Sequence, residues 1–212
     1  MIDSLVLPKT AGKGILVDLA APTYGWRDML GPATIRGVGP NDPTLTVYRG
    51  NLREFAFANN AVNALYFQFH IPHDYVPGSD LYLHVHWSQI AADTGGAGGT
   101  PGDVKWSVDV SYSKGHSQEV FNNPFTTSII QTSSGIPYMH MLPEIQLSSS
   151  TPTAIQLDSS NIEVDGLLLM RLFRDPADPQ DTLNQLPFLH FMDIHYQSTN
   201  LATKQKAPDF YV

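Results

Sequence analysis

The chain has 212 residues, 42% hydrophobic and only 15% charged, with a net charge of -8 and no cysteine. That length suits a single all-β domain with a full core. The acidic balance leaves no basic footprint for nucleic acid, and the absence of cysteine excludes disulfides and thiolate metal sites. No run reaches the roughly 18 apolar residues of a membrane-spanning helix. Met1-Ile-Asp-Ser-Leu-Val-Leu-Pro8 has neither the basic region nor the long apolar region of a signal peptide. Synthesis in the cytoplasm, with no membrane partner, is the expectation. The low charge means a surface built largely of Ser, Thr, Asn and Gln, as in a chain that packs against neighbours or works outside a cell.

Residues 1–43 read as an extended N-terminal arm. Pro8, Pro22, Pro32, Pro40 and Pro43, with Gly12, Gly14, Gly25, Gly31, Gly37 and Gly39, deny it regular structure. One short helix is expected within it, over 24–30. From residue 44 the pattern changes to strands. Short ones are expected at 44–48 and 54–58, and residues 64–71 alternate, with Leu65, Phe67 and Phe69 on one face. Over 80–90, Leu81, Leu83, Val85 and Trp87 take one face and Tyr82, His84, His86 and Ser88 the other. Residues 104–112 alternate most cleanly, with Val104, Trp106, Val108, Val110 and Tyr112 against Lys105, Ser107, Asp109 and Ser111. A period of two with one apolar face marks a half-buried antiparallel strand. The Gly-rich stretch 92–102 reads as a flexible hairpin loop between these two strands. Further strands are expected at 125–131, 143–147, 154–157, 163–173 and 188–196, with long Ser/Thr-rich loops over 132–161. This predicts an all-β antiparallel sandwich over 44–199, a jelly roll by preference, and a polar tail over 200–212.

His84 and His86 stand two apart on a strand, so they share a face. Cupin-type sandwiches present metal ligands in this way, and five residues separate Gly78 from His84 as such a motif requires. The motif then breaks: a Glu is needed four or five residues after the second histidine, and Ile90 and Ala91 stand there. Asp193 and His195 share another strand face and could complete a site of histidines and a carboxylate. The favoured alternative is a hydrogen-bonded polar layer, within the fold or between subunits. No metal or cofactor is therefore expected, and His84, His86, Asp193 and His195 stand as the candidate ligands. His70 and His73 flank Pro72 at a strand end and are expected to cap backbone groups at the turn. Asp175, Asp178 and Asp181 could hold Ca²⁺, but their spacing is not that of a Ca²⁺ loop, and a solvated acidic turn is favoured, with Arg171 and Arg174 near enough to pair with some of them. No nucleophile elbow or phosphate-cradling loop is present, so no catalytic residues are assigned. Trp87, Trp106, Tyr112 and Tyr138 could form a sugar platform, though on alternating strands core positions are favoured.

The run LYFQFHIPHDYVPGSDLYLHVHW at 65–87 resembles the central signature of a family of tailed-bacteriophage virion structural proteins. Its usual form is an apolar strand, Leu-Pro-His, an aromatic, a Gly turn, an Asp and then His-Val-His-Trp. LLMRLFRD at 168–175, Asp181-Thr182 and DIHYQ at 193–197 resemble the family's closing strands. The resemblance spans roughly residues 55 to 200. Leu83 replaces the proline often found before His-Val-His. The resemblance implies a non-enzymatic, jelly-roll capsid decoration or cement protein at the capsid surface, bound to the major capsid protein and stabilising the head. A homotrimer is the expected unit, with a dimer second, and the arm is expected to reach a neighbour. A neck- or tail-associated or receptor- or glycan-binding virion module is the alternative, and a cupin-like metal-binding protein a remote one.

Overall fold

The computed structural model describes residues 4–6, 16–18, 24–34, 41–95 and 99–199. The strands in chain order are β1 (Ser4–Val6), β2 (Leu16–Asp18), β3 (Gly25–Gly31), β4 (Thr44–Arg49), β5 (Leu52–Ala56), β6 (Asn63–His70) and β7 (Tyr82–Gln89). They continue as β8 (Asp103–Ser113), β9 (Phe125–Thr132), β10 (Glu144–Gln146), β11 (Ser148–Ser149), β12 (Leu157–Asp158), β13 (Leu167–Arg174) and β14 (Pro187–Ser198). The sheets follow from the alternation. On β8, Val104, Trp106, Val108, Val110 and Tyr112 are all buried, and on β13, Leu168, Met170 and Leu172 face the same interior. Each such side chain, withdrawn from water, stabilises the fold by about 1.5–3 kcal/mol before ordering costs.

One sheet runs β6-β13-β8-β9 and the other β10-β7-β14-β5-β4, with β3 also paired to β14. All these ladders are antiparallel. The first residues of β14 pair with β5, and the stretch Met192–Ser198 pairs with β3, so β5 and β3 share one position end to end. With those two taken as one, the sheets run 10-7-14-5 and 6-13-8-9, and from β5 onward their strands cross from one sheet to the other at every step except the β8–β9 hairpin. That is the wrap of two Greek keys, and the domain is a jelly-roll β-sandwich. Its centre is aromatic: the Trp106 ring stands edge-on to Phe57 at 5.1 Å and lies 6.2 Å from Trp87.

The helix expected over 24–30 is instead β3. The free edge of β14 offers a row of unpaired backbone groups, and pairing along it outweighs the weak local preference of this short segment. Met29 is buried on the inner side, and Thr34 bridges to Tyr66. The sandwich therefore begins before residue 44 and takes in part of the expected arm. β1 and β2 pair with each other. The rest of the arm (1–3, 7–15, 19–23 and 35–40), the loop tip 96–98 and the tail from residue 200 lie outside the described residues. The strand expected over 154–157 reduces to the two residues of β12. β13 starts at Leu167, later than expected, because a turn occupies the preceding residues, with Asp165 in the left-handed region at φ 62°.

Candidate histidine–carboxylate site

β7 is buried along almost its whole length, on both faces. Leu83, Val85 and Trp87 face the sandwich interior, and His84 and His86 face outward. A bulge between Leu189 and Phe191 resets the register of β14, so that Phe191, Asp193 and His195 pair with His86, His84 and Tyr82. On the other side of β7, Glu144 of β10 pairs with His84. One row across the sheet thus reads Glu144, His84, Asp193. The segment before β10 continues along β7 through hydrogen bonds between Met141 and Trp87 and from Tyr138 N–H to the Gln89 carbonyl. It carries His140 over the outer face.

The histidines are held by specific partners. His84 Nε2 lies 2.8 Å from Glu144 Oε2, and its Nδ1 lies 3.3 Å from Asp193 Oδ1. His86 Nδ1 is 2.8 Å from His140 Nε2, and its Nε2 is 3.4 Å from Asp193 Oδ2. Phe191 stacks on the His86 ring at 3.9 Å, and the His195 ring stands 4.0 Å from that of His84. His195 Nε2 is bound to Asp28 of β3. His86 Nε2 and Asp193 Oδ1 are buried without a hydrogen bond. Burial lowers the pKa of His86; the Asp193 carboxylate opposes this, and His140 and His84 add to it.

All four sequence candidates therefore meet on one face. His84, His86 and Asp193 form one group with ligand atoms within 4.8 Å of one another, and His84, Glu144 and His195 form a second. Sequence reasoning missed Glu144, His140 and Asp28. The signal for Glu144 was a short strand of unknown neighbour, and strand pairing is not encoded in local spacing. Beside this cluster, Trp26, Tyr82, Glu144 and His195 line an open depression of about 440 Å³. The Trp26 and Tyr82 rings meet edge-to-face at 5.6 Å, and Trp26 is 52% exposed.

The structure also places three other groups of sequence candidates. His70 and His73 both point Nε2 at Asp165 Oδ1, at 3.0 and 3.2 Å, while His116 Nε2 meets Oδ2 at 2.7 Å, so the turn gathers three imidazoles on one carboxylate. The acidic turn splits. Asp178 pairs with Lys105 at 2.7 Å, but Asp181 is buried against the fully buried Arg174 rather than solvated, and Arg171 pairs with Asp109. The three carboxylates do not converge on a common point, which removes the Ca²⁺ reading. Trp87, Trp106 and Tyr112 are core residues, and Tyr138 lies at the surface beneath Arg49.

No family model matches the chain, and no curated protein matches it. Among solved structures it is similar to a carbohydrate-binding module determined in complex with β-1,4-galactotriose. The two share 10% identity and a TM-score of 0.30, over 80% of this chain and 86% of that one. A TM-score of that size transfers neither fold nor ligand. Among the described residues, no helix is long and apolar enough to cross a membrane.

Proposed function

We propose that the chain is a structural virion protein of a tailed bacteriophage, a capsid decoration or cement subunit that docks through the surfaces of its jelly roll. The supporting observation is the set of large apolar side chains left in water on neighbouring strands. Leu30, Trp26 and Phe191 project from the outer side of β3 and β14, and Leu45, Val47 and Leu52 from the β4–β5 hairpin. Leu30 is 69% exposed, and with Pro32 and Phe191 it lines a shallow apolar depression. A monomer working alone gains nothing from apolar groups gathered at sheet edges; a subunit that buries them on assembly does. The partners are the major capsid protein and further copies of the chain, in a trimer at a capsid three-fold or, second, a dimer. Such an interface buries more than about 2,000 Å² in total when obligate. No residue is assigned a catalytic role.

The test is quantitative gel densitometry of purified particles of the encoding phage. A ratio to the major capsid protein near one, or a simple fraction such as one third, supports lattice docking. A few to a dozen copies per particle moves the chain to the neck, tail or fibres. Absence from particles removes the virion reading. The second reading, a glycan-binding virion module, is favoured by the exposed Trp26 beside Tyr82, His195 and Glu144: an aromatic face with polar groups at its rim suits a sugar ring. It predicts oligosaccharide binding that Trp26→Ala abolishes.

A further inference from the structure

We propose that His84 Nδ1, His86 Nε2 and the Asp193 carboxylate form a binding site for one first-row divalent cation of zinc's class, on the outer face of the β7–β14 pair. The inference is independent of the virion reading and rests on how acceptor atoms are aimed. Glu144, as a carboxylate, can only accept, so the proton of a neutral His84 ring sits on Nε2 and the Nδ1 lone pair faces Asp193. His86 is fixed from the other side by His140 at its Nδ1. Were His86 Nε2 the protonated nitrogen it could donate to Asp193, yet that atom is buried and makes no hydrogen bond. Two ring nitrogens and a carboxylate thus converge, and two of their atoms, His86 Nε2 and Asp193 Oδ1, are buried without a hydrogen bond. A cation in the middle would satisfy both.

The separations fit that occupant. For ligand bonds of about 2.1 Å, neighbouring ligands of a tetrahedral zinc stand about 3.4 Å apart. His84 Nδ1 to Asp193 Oδ1 is 3.3 Å and His86 Nε2 to Asp193 Oδ2 is 3.4 Å, both long for hydrogen bonds between such groups. The outer partners are also those a metal site uses: Glu144 and His140 take the far nitrogens, setting tautomer and ring orientation. Two imidazoles and one carboxylate favour a borderline ion such as Zn²⁺ over Mg²⁺ or Ca²⁺, which prefer all-oxygen shells. The three ligands leave a fourth position for water or for a group from a docked partner. The site is a structural clamp: it joins β7 to β14 across the outer face of their sheet.

The test uses the untagged full chain, stripped with chelator and titrated with ZnCl₂ by calorimetry and thermal melting. One Zn²⁺ per chain is expected, with a melting temperature about 5–10 °C higher at a hundredfold excess over the dissociation constant, and no response to Mg²⁺. Asp193→Asn should abolish uptake yet leave the stripped protein at least as stable, because the amide donates to a lone pair that the carboxylate repels. Glu144→Gln should weaken uptake about 10–100-fold. His116→Ala, at the separate Asp165 cluster, should leave uptake unchanged. The proposal is overturned if folded wild-type protein takes up no stoichiometric Zn²⁺ at about 1 mM. It is equally overturned if Asp193→Asn binds as wild type, or if His116→Ala is the variant that loses the ion.

Discussion

Replacing Asp181 by Asn tests the strongest energetic statement the fold makes outside its apolar core. Arg174 occupies the inward position at the end of β13, the place that Leu168, Met170 and Leu172 hold earlier in the strand, and it is 0% exposed. Its guanidinium is met by Asp181 in a fork, Nε to Oδ2 at 2.9 Å and Nη2 to Oδ1 at 2.7 Å. Nη2 also donates to the Leu183 carbonyl at 2.6 Å, and Nη1 points toward the carbonyls of Ala58 and Gln185. Asp181 Oδ2 in turn accepts from the Lys105 N–H at 3.1 Å. Asparagine keeps the volume but removes the charge and turns one acceptor into a donor facing a guanidinium. Breaking one side of a buried pair costs about 3–5 kcal/mol, a large share of the 5–15 kcal/mol that holds a typical domain together. Urea unfolding, followed by the fluorescence of the buried Trp87 and Trp106, should show the midpoint falling with little change in slope. A loss below about 1 kcal/mol would refute the reasoning. A double variant, Arg174→Met with Asp181→Leu, sharpens it. Apolar replacement of a buried pair is often neutral, but here the Leu183 carbonyl loses its donor. The double variant should therefore stay about 1–3 kcal/mol below wild type.

Three further outcomes follow from the same geometry. Gly102→Ala would drive a Cβ into the Thr182 carbonyl and the Leu183 Cα, backbone that cannot swing aside, so a loss of about 1–3 kcal/mol is expected in the same unfolding assay. Burial is the main reason the Tyr112 hydroxyl is pushed up to about 12, above its ordinary 10.0. A raised folded value gives stability that is whole below the unfolded value and lost as pH rises through the folded one, so an alkaline loss between about pH 10 and 12 is expected. Tyr112→Phe should flatten that limb while costing about 1 kcal/mol at neutral pH, because the Glu163 N–H loses its acceptor. At Asp165, partial burial pushes the carboxyl up, but the His116 hydrogen bond and the fields of His73 and His70 outweigh it and hold the group below its ordinary value. Its contribution is present above an unfolded value of about 3.9 and lost as pH falls through the folded one. Asp165→Asn, which tolerates the same left-handed backbone, should therefore weaken the acid dependence of the melting temperature; an unchanged acid limb would count against the cluster.

The sandwich was legible because its strands bury one face: the alternation at 104–112 and the split of 80–90 into apolar and histidine faces both survive intact in β8 and β7. The candidate ligands were legible for the same reason, since spacing of two places His84 with His86 and Asp193 with His195. What spacing could not show is which strands become neighbours. Glu144 meets His84 only because β10 pairs with β7, a partnership between residues 60 apart in sequence. β3 was misread because nothing in Gly25–Gly31 alternates strongly; its strand character comes from the open edge of β14. Arg174 was read as a partner for the acidic turn, and that pairing holds, but its burial could not be read from spacing because it depends on the Asp181 loop folding back over it.

The outer face of the β7–β14 pair combines features that the sandwich core does not require. A sheet packed on one side only should alternate between buried and exposed, yet His84 and His86 are as hidden as many core residues. They are covered locally, by Phe191 stacked on His86 and by the segment that brings His140 and Met141 across β7. Desolvating three polar side chains in this way weakens a fold unless something returns the lost interactions. Around them, Trp26, Leu30 and Phe191 remain in water at the same face. On the function proposed above, this covered polar cluster ringed by uncovered apolar groups is the centre of the docking face. A cation at the cluster would hold β7 and β14 rigid under that partner. The docking surface and the metal clamp can then be separated by experiment: Leu30→Asp should abolish particle association while leaving Zn²⁺ uptake intact.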